Sequence, residues 1–195
     1  MITATTIIQT EFGPFKANHH KLDGREFVSF SYGDITIGIP TVRIHSSCLF
    51  GEAFHSLHCD CYHQITETME MIQKNGNGVI VYAYEEGRGI GLENKIKAME
   101  IERTQNVDTV EAFKKLGFNE PDLRNFKIEV AVLTELNVSK MINSFSGNPI
   151  KRKALETAGF SIKNEFEVDS DKLNKLAVKE KQAKRDKMGY SYQND

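Results

Sequence analysis

All three cysteines of the chain fall within one stretch, CLFGEAFHSLHCDC, as Cys48, Cys59 and Cys61. An odd number of thiols cannot be used up in pairing with one another. In a reducing compartment, clustered cysteines are more often metal ligands or redox groups than disulfides. The C-x10-C-x-C spacing offers three thiolate donors, which favour zinc over magnesium or calcium. Structural zinc sites close with four protein ligands, whereas catalytic ones use three and leave the fourth position to water. The trio therefore reads as an open zinc site. His58 abuts Cys59, and His45, His55 and His63 lie nearby in sequence, so a Cys3His closure is the alternative. Without a metal, the same pattern is three buried thiols acting as small hydrophobes. Zinc lowers the pKa of water, but three thiolates leave the centre anionic and soften that effect, so a helping base is expected. The H-x-E and P-C-x-x-C pairs of zinc deaminases are missing, which argues against deamination on that scaffold.

Two further stretches suit an anion. VIVYAYEEGRGIGLENK reads as strand, glycine-rich turn and helix, which gathers free backbone N–H groups at a helix start. Its glycines, Gly87, Gly89 and Gly91, run G-x-G-x-G and no Walker lysine follows, so the dinucleotide and P-loop readings fail on spacing. Arg88 can hold a phosphate bidentately. Glu85 or Glu86 would repel that phosphate unless Mg²⁺ or a guanine N–H edge takes the charge. The bland reading is a tight turn that needs glycine for its backbone. In SFSGNPIKRKAL, Ser146, Gly147 and a helix capped by Asn148 with Pro149 at its first position offer a second anion site, with Lys151 one turn in. By itself this is an ordinary capped helix. Asp122 and Arg124, two apart in an irregular segment, read as a surface salt bridge of small consequence.

These side chains need a scaffold. The chain has 195 residues, 39% hydrophobic and 27% charged, with a net charge of −2. That fits one domain with its own core and gives no general bias toward nucleic acid or anionic membrane. No apolar run approaches the ~20 residues of a membrane span, and MITATTIIQTEFG has neither the basic nor the long apolar region of a signal peptide. A cytoplasmic setting is the expectation. TTIIQTEFG, REFVSFSYG and ITIGIPTVRIH read as strands rich in β-branched and aromatic residues. YHQITETMEMIQKNG reads as a helix stopped by Gly76, GVIVYAY as a buried strand, and GLENKIKAMEIERTQ as a helix with Leu92, Ile96 and Met99 on its apolar face. TVEAFKKLGF, KIEVAVLTELNV and NPIKRKALETAGF read as helices, KMINSFS and SIKNEFEV as strands. The expected fold is α+β: one mixed domain over 1–170 with N-terminal strands followed by alternating strands and helices. A lysine-rich helix and tail over 171–195 should pack on the same domain, its charge a solvated face or, on the sharper reading, a phosphate-contacting end.

In order, RIHSSC, SLHCDCYHQI, EEGRGIGLENKIKA, DTVEAFKKLGF, DLR and GNPIKRKAL resemble the GTP cyclohydrolase II family over about residues 40–160, and KMGY resembles its ending. The resemblance implies hydrolytic opening of the guanine imidazole ring of GTP, with loss of formate and pyrophosphate, at the start of riboflavin synthesis. It implies one Zn²⁺ per subunit on Cys48, Cys59 and Cys61, whose bound water attacks C8 of guanine, Mg²⁺ on the triphosphate, and a homodimer. Arg124 falls on the proposed nucleophile toward the α-phosphate and Asp122 on its proton acceptor. Arg43, Ile44, His45, Ser46, Ser47, Gln64, Glu86, Gly87, Arg88, Thr109, Ser146 and Lys151 fall on nucleotide-contacting positions.

Three departures stand out. Ser47 replaces the family's usual glutamate before the first cysteine, Ser146-Gly147-Asn148-Pro149 replaces TNNP, and Met99 stands where tyrosine is usual. A thioether cannot donate a hydrogen bond or relay a proton. Met99 is therefore a candidate product-determining residue, and a variant reaction that stops at a formylamino-pyrimidine nucleotide is one alternative. Simple packing of Met99 beside Leu92 and Ile96 is its bland reading. A nucleotide-binding homologue without turnover is a second alternative. Nucleic-acid binding finds no support, since basic excess and an aromatic-basic stacking pattern are both missing.

Overall fold

Apolar and β-branched residues dominate several of the segments that become strands, and the computed structural model, which describes residues 1–191, assembles them into one sheet. The first three strands, β1 (Ile2–Thr10), β2 (Gly13–Leu22) and β3 (Arg25–Tyr32), form an antiparallel meander. Four more follow: β4 (Thr41–Ser46), β5 (Gly78–Ala83), β6 (Met141–Phe145) and β7 (Ser161–Phe166). The order across the sheet is β1-β2-β3-β5-β4-β6-β7. β3 pairs antiparallel with β5, while β5-β4-β6-β7 run parallel, with Thr41 opposite Gly78 and Ser46 opposite Ala83.

Strand β2 has no counterpart in the sequence reading. Two of its inward positions are polar, Asn18 and His20, so no apolar alternation marks it. Both are satisfied across the sheet: Asn18 donates to Ser29 Oγ at 3.2 Å, and His20 lies 2.8 Å from the same oxygen. The strand expected from Ile35 begins only at Thr41. Residues 34–40 form a loop pinned by Asn77, whose Nδ2 donates to the carbonyls of Asp34 at 2.9 Å and Ile37 at 3.2 Å.

Helices cover both faces of the parallel half. On one face, α2 (Cys61–Asn75) lays Ile65, Met69 and Ile72 over Phe15 and Ile80, and it stops at Gly76, whose φ of 83° needs glycine's freedom. On the other, α5 (Lys127–Glu135) and α6 (Pro149–Thr157) bury Val130, Leu133 and Leu155 against Val42, Ile44, Val79 and Val81. Truncating Leu133, fully buried there, to alanine costs about 2–5 kcal/mol. Alternation along β4 thus sends Val42 and Ile44 into the core, and Arg43 and His45 to the opposite face.

The remaining helices are α1 (Leu49–Glu52), α3 (Gly91–Gln105), α4 (Thr109–Lys115) and α7 (Lys175–Met188). α3 buries Ala98, not the expected stripe: Leu92 is 36% and Ile96 49% exposed, because Ile90, Ala98, Ala112 and Phe113 form the small core between α3 and α4. α7 is not solvated all round either. Ala177, Lys181 and Ala183 are buried, and Lys181 pairs with Glu167 at 3.2 Å and donates to Val168 O at 3.1 Å. Residues 192–195 of the expected tail lie outside the described residues. Among the described residues, no helix is long and apolar enough to cross a membrane.

Candidate metal and nucleotide site

The carboxyl ends of parallel strands are where α/β sheets collect ligands, since loops diverge there and helix starts point in. The turns after β4, β5 and β6 carry Ser46 to Cys48, Glu85 to Arg88, and Ser146 to Asn148, and all three line one cavity.

Cys48 lies just before α1, and Cys59 and Cys61 lie at the start of α2. Their sulfurs all fall within 4.8 Å of one another, with Cys48 Sγ and Cys59 Sγ 3.6 Å apart. Tetrahedral zinc with Zn–S of about 2.3 Å places sulfurs roughly 3.8 Å apart, close to the Cys48–Cys59 separation, so the donor set suits that ion. The fit depends on Gly51: a Cβ there would lie 2.7 Å from Cys59 Sγ and 3.1 Å from Cys48 Sγ. Among the described residues no histidine or carboxylate joins the group, so the Cys3His closure is not formed. Three sulfurs this close cannot all ionise without a cation. Hydrogen bonds from Cys59 and Cys61, aided by Lys95, draw the Cys48 thiol far down, while the Cys59 thiol is pushed up to about 12 by Cys48 and burial.

Glu52 organises this loop. Its Oε1 accepts from the Cys48 amide at 2.6 Å and from His45 Nε2 at 3.0 Å, and its Oε2 accepts from Tyr82 Oη at 2.9 Å. Lys95 donates to Cys48 Sγ at 3.1 Å and to Glu86 Oε2 at 2.7 Å. The other Glu86 oxygen accepts from the Leu49 amide at 2.5 Å, so its charge is absorbed within the protein. Glu85 instead lines the cavity, its carboxyl raised by burial and opposed by Arg25, 3.5 Å away.

Three guanidinium groups and one amine line the same cavity as the sulfurs. Arg43 donates to His45 Nδ1 and Phe145 O, each at 2.8 Å, and to Gln64 Oε1 at 2.5 Å. Burial lowers its pKa to about 10, so it stays charged at neutral pH. Arg88 sits 4.0 Å above the Phe113 ring and donates to Thr109 Oγ1. Lys151 donates to Ile44 O at 2.8 Å, and burial together with Arg43 and Arg124 depresses its pKa. Among the described residues, no carboxylate lies within ion-pair distance of Arg43, Arg88 or Lys151. Arg124 alone is paired: its Nε and Nη2 bind the two Asp122 oxygens at 2.8 and 2.7 Å. Their side chains are 8% and 2% exposed, so this is a buried bidentate pair and not a surface one. Burial opposes both charges, yet the pairing outweighs it, holding Asp122 below the usual carboxylate range and Arg124 above its own.

The family model described as GTP cyclohydrolase II matches residues 2–167. The chain belongs to the GTP cyclohydrolase II family. It is 41% identical over 171 residues to a GTP cyclohydrolase-2 of Buchnera aphidicola, covering 87% of this chain and 86% of the relative. It is also 41% identical over 181 residues to the GTP cyclohydrolase-2 of Archaeoglobus fulgidus, covering 92% and 46%. To the riboflavin biosynthesis protein RibBA of Aquifex aeolicus it is 41% identical over 195 residues, covering 97% and 47%. The chain thus spans about half the length of most curated relatives it matches.

On this GTP cyclohydrolase II scaffold, the cavity wall contains Arg43, Ser46, Ser47, Gln64, Gly87, Arg88, Thr109, Ser146 and Lys151, together with Cys48, Cys59, Cys61, Met99 and Arg124. Ile44, His45, Glu86 and Asp122 stand behind it. Ile44 supplies a carbonyl to Lys151, His45 braces Arg43, Glu86 anchors Lys95, and Asp122 holds Arg124. Sequence reasoning passed over Glu52, Lys95, Glu102, Glu180, Lys184 and Tyr190. Lys95 was findable, one turn into the helix after the glycine loop. Glu180, Lys184 and Tyr190 reach the cavity only because α7 folds back over it.

Proposed function

We propose that this chain hydrolyses GTP as a zinc-dependent GTP cyclohydrolase II, opening the guanine ring and releasing formate and pyrophosphate. The supporting observation is that the buried Arg43 and Lys151 and the half-buried Arg88 meet no neutralising carboxylate among the described residues, beside a cluster of three cysteines able to hold a metal. An unpaired buried charge costs several kcal/mol, about what breaking a buried ion pair costs. A triphosphate supplies the missing negative charge.

Cys48, Cys59 and Cys61 would hold zinc, which would supply a Lewis acid that lowers the pKa of water, an effect the charge of three thiolates softens. Everything else in the reading is done by the chain. Arg43, Arg88 and Lys151, with the start of α6, hold the phosphates, and Mg²⁺ shares that charge. Arg124 faces the α-phosphate. Its partner Asp122, kept ionised, stands ready to take a proton. With Glu86 occupied by Lys95, Glu85 is the carboxylate left to accept a guanine N–H edge or to meet Mg²⁺. Lys95, against Cys48 Sγ, offsets the negative charge of the thiolates. A homodimer and a cytoplasmic setting complete the reading.

A second reading is carried by Met99. It lines the cavity, while Leu92 and Ile96, its expected packing partners, are exposed. A thioether in the wall where a proton relay is wanted would halt the reaction after ring opening, with the formyl group retained. Zinc-loaded protein given GTP and Mg²⁺, with products identified by mass, tests both. The first reading expects the deformylated diamino-pyrimidine nucleotide, the second its formylamino precursor. Unchanged GTP removes both and leaves a binding homologue.

A further inference from the structure

Charge is not spread evenly around the cavity. The strongest charges acting on Lys151 are Arg43, Arg124 and Asp122. Those acting on Glu102 are Glu180, Arg88 and Asp108. The sulfurs border both groups, since Cys61 acts on Arg43 and Lys151 while Glu180 acts on Cys59. The first group is rich in cations and suits phosphates. The second holds two carboxylates that line the cavity, Glu102 and Glu180.

Helix α3 carries the cavity wall from the metal site to that second group. Lys95, Met99 and Glu102 recur at i, i+4 and i+7, so they share one helix face, and all three line the cavity. Lys95 Nζ lies 3.1 Å from Cys48 Sγ. Glu102 follows seven residues later, about 10 Å along the helix axis. The Met99 thioether and the Phe113 ring add apolar surface to the wall. Glu102 is half-buried, and burial with Glu180 beside it raises its pKa against the pull of Thr109 and Arg88. Among the described residues no cation lies within ion-pair distance of it. Glu180 pairs with Lys184 at 3.0 Å, yet its other oxygen is buried without a hydrogen-bond partner among the described residues. A phosphate would be repelled here. A flat ring bearing N–H donors fits.

We propose that Glu102 is the base-reading residue of the site, its carboxylate accepting the N1–H and N2–H groups of a guanine edge. The inference rests on the nucleotide reading of this cavity and adds the group that selects the base. Those two donors lie across the fused ring from C8. With the phosphates on Arg43, Arg124 and Lys151 and C8 toward the sulfurs, they extend along α3 toward Glu102. A carboxylate only accepts, so it matches two neighbouring donors. Adenine presents a ring-nitrogen acceptor at the same place, which the carboxylate repels. Of the two roles open to Glu85, the Mg²⁺ contact is then the one that remains.

The test is calorimetric titration of the zinc-loaded chain, of Glu102→Gln and of Glu85→Gln with GMP, with AMP and with inorganic pyrophosphate in Mg²⁺ buffer. Glutamine keeps the size and one acceptor but sets a donor against one guanine N–H. A hydrogen bond to a charged group is worth roughly a tenfold to hundredfold change in affinity. GMP should therefore bind Glu102→Gln at least about tenfold more weakly, with AMP no weaker and pyrophosphate unchanged. Equal GMP affinity in the parent and Glu102→Gln overturns the proposal. So does equal weakening of GMP and pyrophosphate, which marks a purely structural role, and so does a loss of GMP preference confined to Glu85→Gln. A parent chain that binds GMP no better than AMP overturns it as well. If the preference for GMP depends on Glu102 and yet GTP is not turned over, the base contact stands and the ring-opening reading falls.

Discussion

Arg43 Nε donates to Nδ1 of His45 at 2.8 Å, which fixes the tautomer of a fully enclosed imidazole. With Nδ1 accepting, the ring proton must sit on Nε2, where it is donated to Glu52 at 3.0 Å. Glu52 in turn holds the Cys48 amide, so one chain of bonds runs from Arg43 in the cavity wall to the backbone of Cys48. Burial, with Arg43 beside it, lowers the His45 pKa from 6.5 to about 4. Because that folded-state pKa is depressed, the neutral ring's contribution to stability is fully present above pH 6.5 and is lost as pH falls toward 4. The loss is about 3 kcal/mol over that window. Nitrogen NMR of His45 should show a neutral Nε2–H ring at pH 6.5 and a midpoint near 4; a midpoint near 6.5 would discard this network.

Removing any one sulfur should remove the metal. Cys48→Ser, Cys59→Ser and Cys61→Ser are each expected to lose the single bound zinc measured by elemental analysis. Glu52→Gln should keep the sulfurs but weaken zinc about 10–100-fold, the range for partners that orient ligands. Gly51→Ala should act similarly, because its new methyl would press on two sulfurs. Full zinc retention in the serine variants would mean that the ion is held elsewhere.

Arg124→Lys keeps the charge but cannot reproduce the two-pronged grip on Asp122. Pyrophosphate release should fall about 10²–10³-fold, as when one preorganised stabilising donor is removed, while zinc content is unchanged. Asp122→Ala should also destabilise the fold by about 3–5 kcal/mol, since it strands a buried guanidinium. Urea titration of that variant separates the two effects. Near-normal release from Arg124→Lys would take this pair out of the chemistry.

Formate measured against pyrophosphate distinguishes the two readings of Met99. The leading reading expects a ratio near one. A ratio near zero moves the assignment to the formyl-retaining reaction, and Met99→Tyr should then raise formate. If the ratio is near zero and Met99→Tyr leaves it there, the thioether is not the cause.

Much of the site was legible in the chain itself because it depends on short-range chemistry. Thiol count and spacing marked the metal trio, and glycine and N-cap signals marked the turn after β5 and the start of α6. Strands and helices with strong local periodicity were equally visible. Other features were hidden because their cause lies far away in sequence. β2 turns polar residues inward, which only Ser29 on the neighbouring strand makes tolerable. Asp122 and Arg124 look like an exposed pair until Asn148 and the cavity wall enclose them. The stripe of Leu92 and Ile96 on α3 is misleading because α4 packs against Ala98 instead.

By itself, then, the sequence determined the donor atoms, the helix starts and the order of the elements, since spacing and local backbone preference suffice for these. The tertiary structure alone decided which charges stay buried without a partner and which groups from the C-terminal helix meet them. Burial and distance between remote residues arise only when the sheet brings three strand ends together and α7 closes over them.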